Sequence, residues 1–200
     1  MPGSGYSVSE TVPDGWDQTN AACDRGTPDA IVVVAGETTT CTFTNTQRGR
    51  IKVVKETDPA GSSKSFSFSP SYKSGFSLTG EAGSNSDTSD PLVPGSSYSV
   101  SESVPDVWDQ TGATCDRGTP GAIVVVPGET TTCTFTNTQR GKIVVKKETD
   151  PKDSSQSFSF TPSYGSGFSL KGGESNDSGA IVPDTYSVSE SLPSSHVAPV

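Results

Sequence analysis

Three polar residues of this 200-residue chain fall at the ends of apolar rows in segments that alternate like β-strands. Side chains of a strand point alternately to its two faces. Lys55 therefore shares a face with the apolar residues of GRIKVVKE, Glu102 with those of YSVSE, and Asn137 with those of TCTFTN. A buried charge without a partner is costly. We therefore expect an amine, a carboxyl and an amide to meet at one end of the core and to satisfy one another.

The elements that would position these residues are short strands. No segment has helical periodicity, and turn sequences such as Asp-Pro, Pro-Gly and Ser-Asn-Ser-Asp separate the runs. About seven short strands in some 90 residues are typical of an all-β, Ig-like β-sandwich. The runs from which strands are predicted in one unit are residues 49–56, 65–69, 75–78, 97–104, 122–126 and 129–137.

Internal repetition divides the chain. Cys23 recurs at Cys115 and Gly49 at Gly141, a step of 92 residues (115 − 23). We predict a complete repeat over 49–140, preceded by the C-terminal half of a repeat (1–48) and followed by the N-terminal half of another (141–200). The short junction at residues 138–141 favours a rod of tandem domains over a flexible array.

Neither half can bury a sandwich core by itself. Two explanations stay open. In the first, the C-terminal half of one molecule completes the N-terminal half of the next, and a head-to-tail filament results. In the second, the sequence is a window of a longer array, and neighbouring repeats supply the missing strands. The absence of a signal sequence leads us to expect a fragment or a processed form.

The four cysteines form two equivalent pairs, Cys23/Cys41 and Cys115/Cys133, each 18 positions apart (41 − 23). Two disulfides are predicted, and they indicate an extracellular or cell-surface protein. Each would close a loop worth about 3 kcal/mol. Free thiols in a cytosolic protein are the alternative.

Composition narrows the function. The net charge of −9, with scattered Lys and Arg, argues against nucleic acid. No run of 18 apolar residues is present, so no membrane insertion is expected. With one histidine and no ligand spacing, we expect no metal and no cofactor. Partners are expected to be the chain itself, head-to-tail, or neighbouring repeats; glycans are a further option on the Ser/Thr-rich surface.

The motifs GRIKVVKET (and GKIVVKKET), YSVSESVPDVW and TFTNTQRG resemble the collagen-adhesin B-type and SpaA-like prealbumin-fold repeats of bacterial surface proteins and pilins. The resemblance implies a prealbumin-like sandwich. It also implies an isopeptide bond between a Lys of the first strand and an Asn of the last strand, assisted by a Glu. The matching residues are Lys55, Asn137 and Glu102.

The chemistry suits these residue types. Desolvation lowers the pKa of a lysine and makes it a nucleophile, while a carboxyl in the same site can polarise the amide and move protons. Loss of ammonia then completes a self-made crosslink, a single turnover rather than enzymatic activity. The alternative is a buried Lys–Glu pair with a hydrogen-bonded Asn and no covalent bond.

If the half-repeats complement each other, Lys147 and Glu190 of one chain meet Asn45 of the next, and Glu10 contributes from the second YSVSE copy. That crosslink would join molecules. The function expected from all these features is structural, an extracellular stalk or filament. The alternative is an adhesin module that binds glycan or matrix protein.

Overall fold

The computed structural model describes residues 3–192, and within them all regular structure is β, with no helix. No helix that could cross a bilayer occurs in this range. The all-β class is therefore confirmed. Contacts divide the chain into two compact units, Met1–Val104 with Gln110–Thr136 and Pro105–Asp109 with Asn137–Val200.

The N-terminal stretch forms two small sheets. Its strands are β1 (Gly3–Tyr6), β2 (Trp16–Cys23), β3 (Gly26–Thr27), β4 (Ala30–Val33) and β5 (Cys41–Gln47). One sheet has the order β1-β4-β3, and the other consists of β2 and β5. In the second sheet Cys23 lies directly opposite Cys41, and the two form a disulfide.

The central stretch carries a complete set of three sheets, with orders β12-β15-β6-β9, β11-β7-β8 and β10-β14-β13. The second disulfide, Cys115–Cys133, joins β12 to β15. The strands are β6 (Arg50–Asp58), β7 (Phe66–Pro70), β8 (Phe76–Leu78), β9 (Ser86–Thr88), β10 (Gly95–Tyr98), β11 (Val100–Ser103), β12 (Trp108–Cys115), β13 (Gly118–Thr119), β14 (Ala122–Val125) and β15 (Thr130–Gln139).

The core lies between the sheets that contain β6 and β7. Ile51 and Val53 of β6 are fully buried, and Phe68 of β7 meets Phe135 of β15 edge to face, with ring centroids 5.2 Å apart. Burial alternates strictly along both β6 and β15. On β15 the residues of the opposite face are threonines, from Thr130 to Thr138. Alternation of this kind is the signature of a sandwich with one face in the core and one in solvent.

Three details differ from the sequence-based expectation. The run 97–104 is two strands, β10 and β11, and Val104, expected in the core, is 41% exposed. The Ser-Asn-Ser-Asp segment, expected to be a turn, runs into β9. Strand β12 was not expected, because WDQTGATC lacks an apolar period. It forms nevertheless, since β15 offers it a hydrogen-bonding edge.

The C-terminal stretch forms a two-stranded sheet, β16 with β19, and a three-stranded sheet of order β18-β17-β20. Its strands are β16 (Val144–Lys146), β17 (Phe158–Pro162), β18 (Phe168–Leu170), β19 (Ser175–Asp177) and β20 (Val188–Ser191). Across the described residues, no sheet combines strands from different predicted stretches. The boundaries at 48/49 and 140/141 themselves stay predictions.

Candidate functional site

Lys55 is the centre of a buried polar cluster. Its Nζ lies 3.2 Å from Oε1 of Glu102, and neither side chain is exposed. The amine also donates hydrogen bonds to the carbonyl oxygens of Glu56 (3.0 Å) and Phe135 (3.1 Å). It lies 4.3 Å from the centroid of the Phe66 ring. The lysine that alternation assigns to the core is therefore held by an anion, two carbonyls and an aromatic face.

Burial sets the acidity of this amine. Desolvation lowers the pKa of Lys55 below its ordinary value, while the charge and hydrogen bonding of Glu102 oppose the shift. Desolvation is the larger effect. The neutral amine, which is the nucleophilic form, is therefore populated at a lower pH than in an exposed lysine.

Glu102 is oriented from two strands. It lies on β11 opposite Phe68 of β7, so its side chain shares the inner face. Its Oε2 accepts a hydrogen bond of 2.8 Å from Nε2 of Gln110 on β12. Sequence reasoning missed Gln110. The only available signal was its position in the segment WDQT, which occurs in both repeats.

Asn137 is fully buried on β15. It follows Phe135 on the same inward face, two residues beyond the carbonyl that binds the Lys55 amine. The β15 strand is the sheet neighbour of β6. Both begin at the same end, since the backbone N–H of Arg50 donates to the carbonyl oxygen of Glu129. The first and last strands of the complete repeat thus run side by side.

The C-terminal stretch repeats two of the three residues. Nζ of Lys147 lies 2.6 Å from Oε1 of Glu190 and 3.9 Å from the centroid of the Phe158 ring. Their side chains are 15% and 29% exposed, against 0% for Lys55 and Glu102. The Lys147–Glu190 pair is therefore equivalent to the Lys55–Glu102 pair, but it is partly exposed to solvent.

In the N-terminal stretch, the equivalents of the asparagine and the glutamate lie together, Asn45 with Glu10. Nδ2 of Asn45 on β5 donates a hydrogen bond to Oε1 of Glu10. Oδ1 of Asn45 is buried and has no hydrogen-bond partner within the described part of the chain. The structure thus brings together Lys55 with Glu102, Lys147 with Glu190, and Asn45 with Glu10. Covalent bonding of any of them, and pairing between chains, stay predictions.

The complete repeat has a recognisable relative. Residues 51–139 match the family model of SpaA type that is described as a prealbumin-like fold domain. This stretch is similar to a SpaA-type prealbumin-like domain, and it is called the prealbumin-like domain below. The resemblance inferred from its strand motifs is therefore confirmed, and Lys55, Glu102 and Asn137 all lie inside the prealbumin-like domain.

Among solved structures, the Bacillus anthracis TIE protein is similar at 16% sequence identity with a TM-score of 0.39. The alignment covers 84% of this chain, which spans about a third (34%) of the length of that protein. No curated protein matches the sequence.

Proposed function

We propose that this chain is a structural, extracellular repeat protein. In its prealbumin-like domain, an isopeptide bond joins the first strand, β6, to the last strand, β15. The observation that carries the proposal is the buried Lys55–Glu102 pair, 3.2 Å apart on adjoining sheets and next to β15. A buried ion pair is a weak source of stability, because desolvation offsets its attraction. We therefore attribute the buried position of this pair to a role in forming a covalent bond and not to a contribution to stability.

The proposed step joins Nζ of Lys55 to Cγ of Asn137. The neutral amine attacks the carboxamide carbon, a C–N bond forms, and the bond from that carbon to Nδ2 breaks. The Glu102 carboxyl polarises the amide and carries the proton from Nζ to the departing nitrogen, which leaves as ammonia. Atoms and charge balance without a co-reactant. Holding the amine and the amide close together in the core accelerates the reaction. Each domain reacts once, so the protein acts in a single turnover and not as an enzyme.

Such a bond would serve a load-bearing stalk. Tension enters the domain through β6 and leaves through β15, and these strands are sheet neighbours. A covalent link between them would carry the force without exposing the core. The disulfide between Cys115 and Cys133 joins β12 to β15 but does not crosslink β6 to either strand. The two crosslinks are therefore complementary.

The surface location rests on two features. Disulfides persist in oxidising compartments, and the structure contains two. The net charge of −9 favours solubility outside the cell. The alternative role, an adhesin, would need an exposed ligand-binding face. Of the two tryptophans, whose rings could stack on a sugar, Trp108 is 5% exposed and Trp16 is 39% exposed.

Mass spectrometry tests the proposal directly. After reduction and denaturation, the intact chain should be lighter than its sequence mass by one ammonia molecule for the prealbumin-like domain. Digestion should release a branched peptide that joins Lys55 to Asn137. A chain at its full sequence mass, with both peptides recovered separately, would refute the crosslink.

A further inference from the structure

The two oxygens of the Glu102 carboxyl have different surroundings. Oε1 lies 3.2 Å from Nζ of Lys55. It is buried and, apart from that amine, has no hydrogen-bond partner in the part of the chain that the structure describes. Oε2 accepts a hydrogen bond of 2.8 Å from Nε2 of Gln110. One oxygen is therefore held by an amide group, and the other keeps unused hydrogen-bond capacity beside the amine.

Gln110 differs in exposure from the residues around it in this site. The side chains of Lys55 and Glu102 are 0% exposed, and Asn137 is fully buried. Gln110, in contrast, is exposed to solvent. An exposed side chain adds little to the packing of a core, and its replacement usually changes stability only slightly. The contact between Gln110 and Glu102 therefore needs an explanation other than filling the core.

Strand pairing explains how an exposed residue reaches the carboxyl. In the N-terminal stretch, Gln18 of β2 lies directly opposite Asn45 of β5. The step of 92 residues (110 − 18) makes this pair equivalent to Gln110 and Asn137. Residues opposite each other in an antiparallel pair extend from the same face of the sheet. Gln110 therefore starts from the strand next to the amide and from the inner side of that strand.

The backbone around this glutamine is alike in both repeats. The hydroxyl of Thr19 donates to the carbonyl oxygen of Thr44 at 3.2 Å, and the hydroxyl of Thr111 donates to that of Thr136 at 3.3 Å. The register of β2 on β5 shifts just after its glutamine. An irregularity of this kind changes the direction of a side chain in an antiparallel pair. The direction of the glutamine is thus set by the strand that carries it.

We propose that Gln110 is a positioning residue for the crosslinking reaction, which holds Oε2 of Glu102 so that Oε1 alone carries the proton. The inference rests on the function proposed above. The last torsion of a glutamate side chain is broad and roughly two-fold, so a carboxyl that nothing holds rotates. Water could also donate to Oε2, but a water molecule is not anchored to a strand. Gln110 supplies a donor that is fixed to β12.

The proton path follows from this assignment. Nζ of Lys55 attacks Cγ of Asn137, and one proton passes from Nζ to Oε1 as the C–N bond forms. Oε1 then gives this proton to Nδ2 as the bond from Cγ to Nδ2 breaks, and ammonia leaves. Glu102 ends in its starting state, and no co-reactant is needed. A carboxyl that rotates away from Nζ would interrupt both transfers, because proton transfer requires hydrogen-bond contact.

The rate of ammonia loss tests the proposal. The 200-residue chain is expressed insolubly, isolated in urea and diluted into oxidising buffer. Intact mass after reduction, and the branched peptide joining Lys55 to Asn137, are then followed over time. Gln110→Met has a similar length but no donor, and should slow this crosslink by about 10- to 100-fold. Gln18→Met makes the same change in β2 and is the matched control, which should leave the rate unchanged.

A donor restored at the same place separates positioning from packing. Nε of an arginine follows the same three carbons as Nε2 of a glutamine, and its N–H can donate to Oε2. The guanidinium stays protonated, so it is not a rival nucleophile. Gln110→Arg should therefore react at close to the wild-type rate and faster than Gln110→Met. A packing role would give the opposite order, because methionine is the apolar side chain of the two.

The structural contribution of Gln110 is measured where no reaction occurs. In chains that carry Glu102→Gln, adding Gln110→Met should leave the midpoint of urea unfolding almost unchanged. A large fall of that midpoint would overturn the positioning role, as would a Gln110→Arg rate no higher than that of Gln110→Met. Equal rates for the wild type and Gln110→Met overturn this inference alone and leave the proposed function standing. A wild-type chain that never loses ammonia refutes both.

Discussion

Replacing Glu102 with glutamine tests the chemistry of the prealbumin-like domain with almost no change of shape. The side chain is fully buried, 3.2 Å from the Lys55 amine. Glutamine fills the same space and still accepts the hydrogen bond from Gln110, but it cannot transfer a proton. We expect Glu102→Gln to fold with its disulfides and to keep the mass of the ammonia that the wild-type chain loses.

The magnitude follows from the loop that the bond would close. Lys55 and Asn137 are 82 residues apart (137 − 55), and a crosslink over that span stabilises a fold by about 4 kcal/mol on the chain-entropy model. The disulfide Cys115–Cys133 already shortens the path, but the dependence is logarithmic, so the correction is only a few tenths of a kcal/mol. For a domain of this size the variant should melt roughly 15–30 °C lower.

Calorimetry under oxidising conditions, paired with intact mass after reduction, measures both effects. The control is the double variant Lys55→Met with Glu102→Gln, which removes both members of the buried pair, leaves no unpaired charge in the core and therefore isolates the loss of the bond. Both variants should have the full sequence mass and a similar drop in melting temperature. If Glu102→Gln loses ammonia as the wild type does, or melts with it, the role assigned to this carboxyl is wrong.

Three further results are expected. Gly118→Ala should lower the free energy of unfolding by at least about 1–2 kcal/mol, since its φ is +82° and a Cβ would lie 2.1 Å from a carbonyl oxygen; Gly121→Ala, with open space around its Cβ, should be near neutral in urea titrations. Burial raises the pKa of Tyr72 from 10.0 to about 12. As the pH rises, the unfolded chain therefore loses that proton before the folded chain does, so the free energy of unfolding should be unchanged below pH 10 and fall towards pH 12. A Tyr72→Phe variant should not show this fall in alkaline unfolding experiments. Breaking Cys115–Cys133, a loop of 18 positions, should cost about 3 kcal/mol; an unchanged urea midpoint after reduction would contradict the loop-entropy reasoning.

Sequence alone could predict which faces of β6 and β15 are buried. The period of two in GRIKVVKE and TCTFTN is strict, so burial of Lys55 and Asn137 follows from their positions relative to Ile51 and Phe135. The disulfide pairing could also be predicted, because the two cysteine pairs have the same spacing and each can close within its own repeat. Local patterns of this kind depend only on neighbours in the chain.

What the sequence could not show depends on partners distant in the chain. Strand β12 has little apolar alternation and exists because β15 pairs with it, so the contact of Gln110 with Glu102 was invisible. The split of YSVSE between β10 and β11 likewise follows from two different partner strands, β14 and β7. Such contacts are decided by which edges meet in the folded protein, and no residue pattern encodes them locally.

The threonines on the outer face of β15 have a consequence for long assemblies. A β-branched residue favours the extended backbone as valine does, yet its hydroxyl keeps that face wetted. Many identical modules placed close together risk sticking flank to flank wherever a flat apolar surface is repeated. A flank lined with hydroxyl groups gives each module a rigid strand at no such risk, and so permits crowding of many copies at high local density.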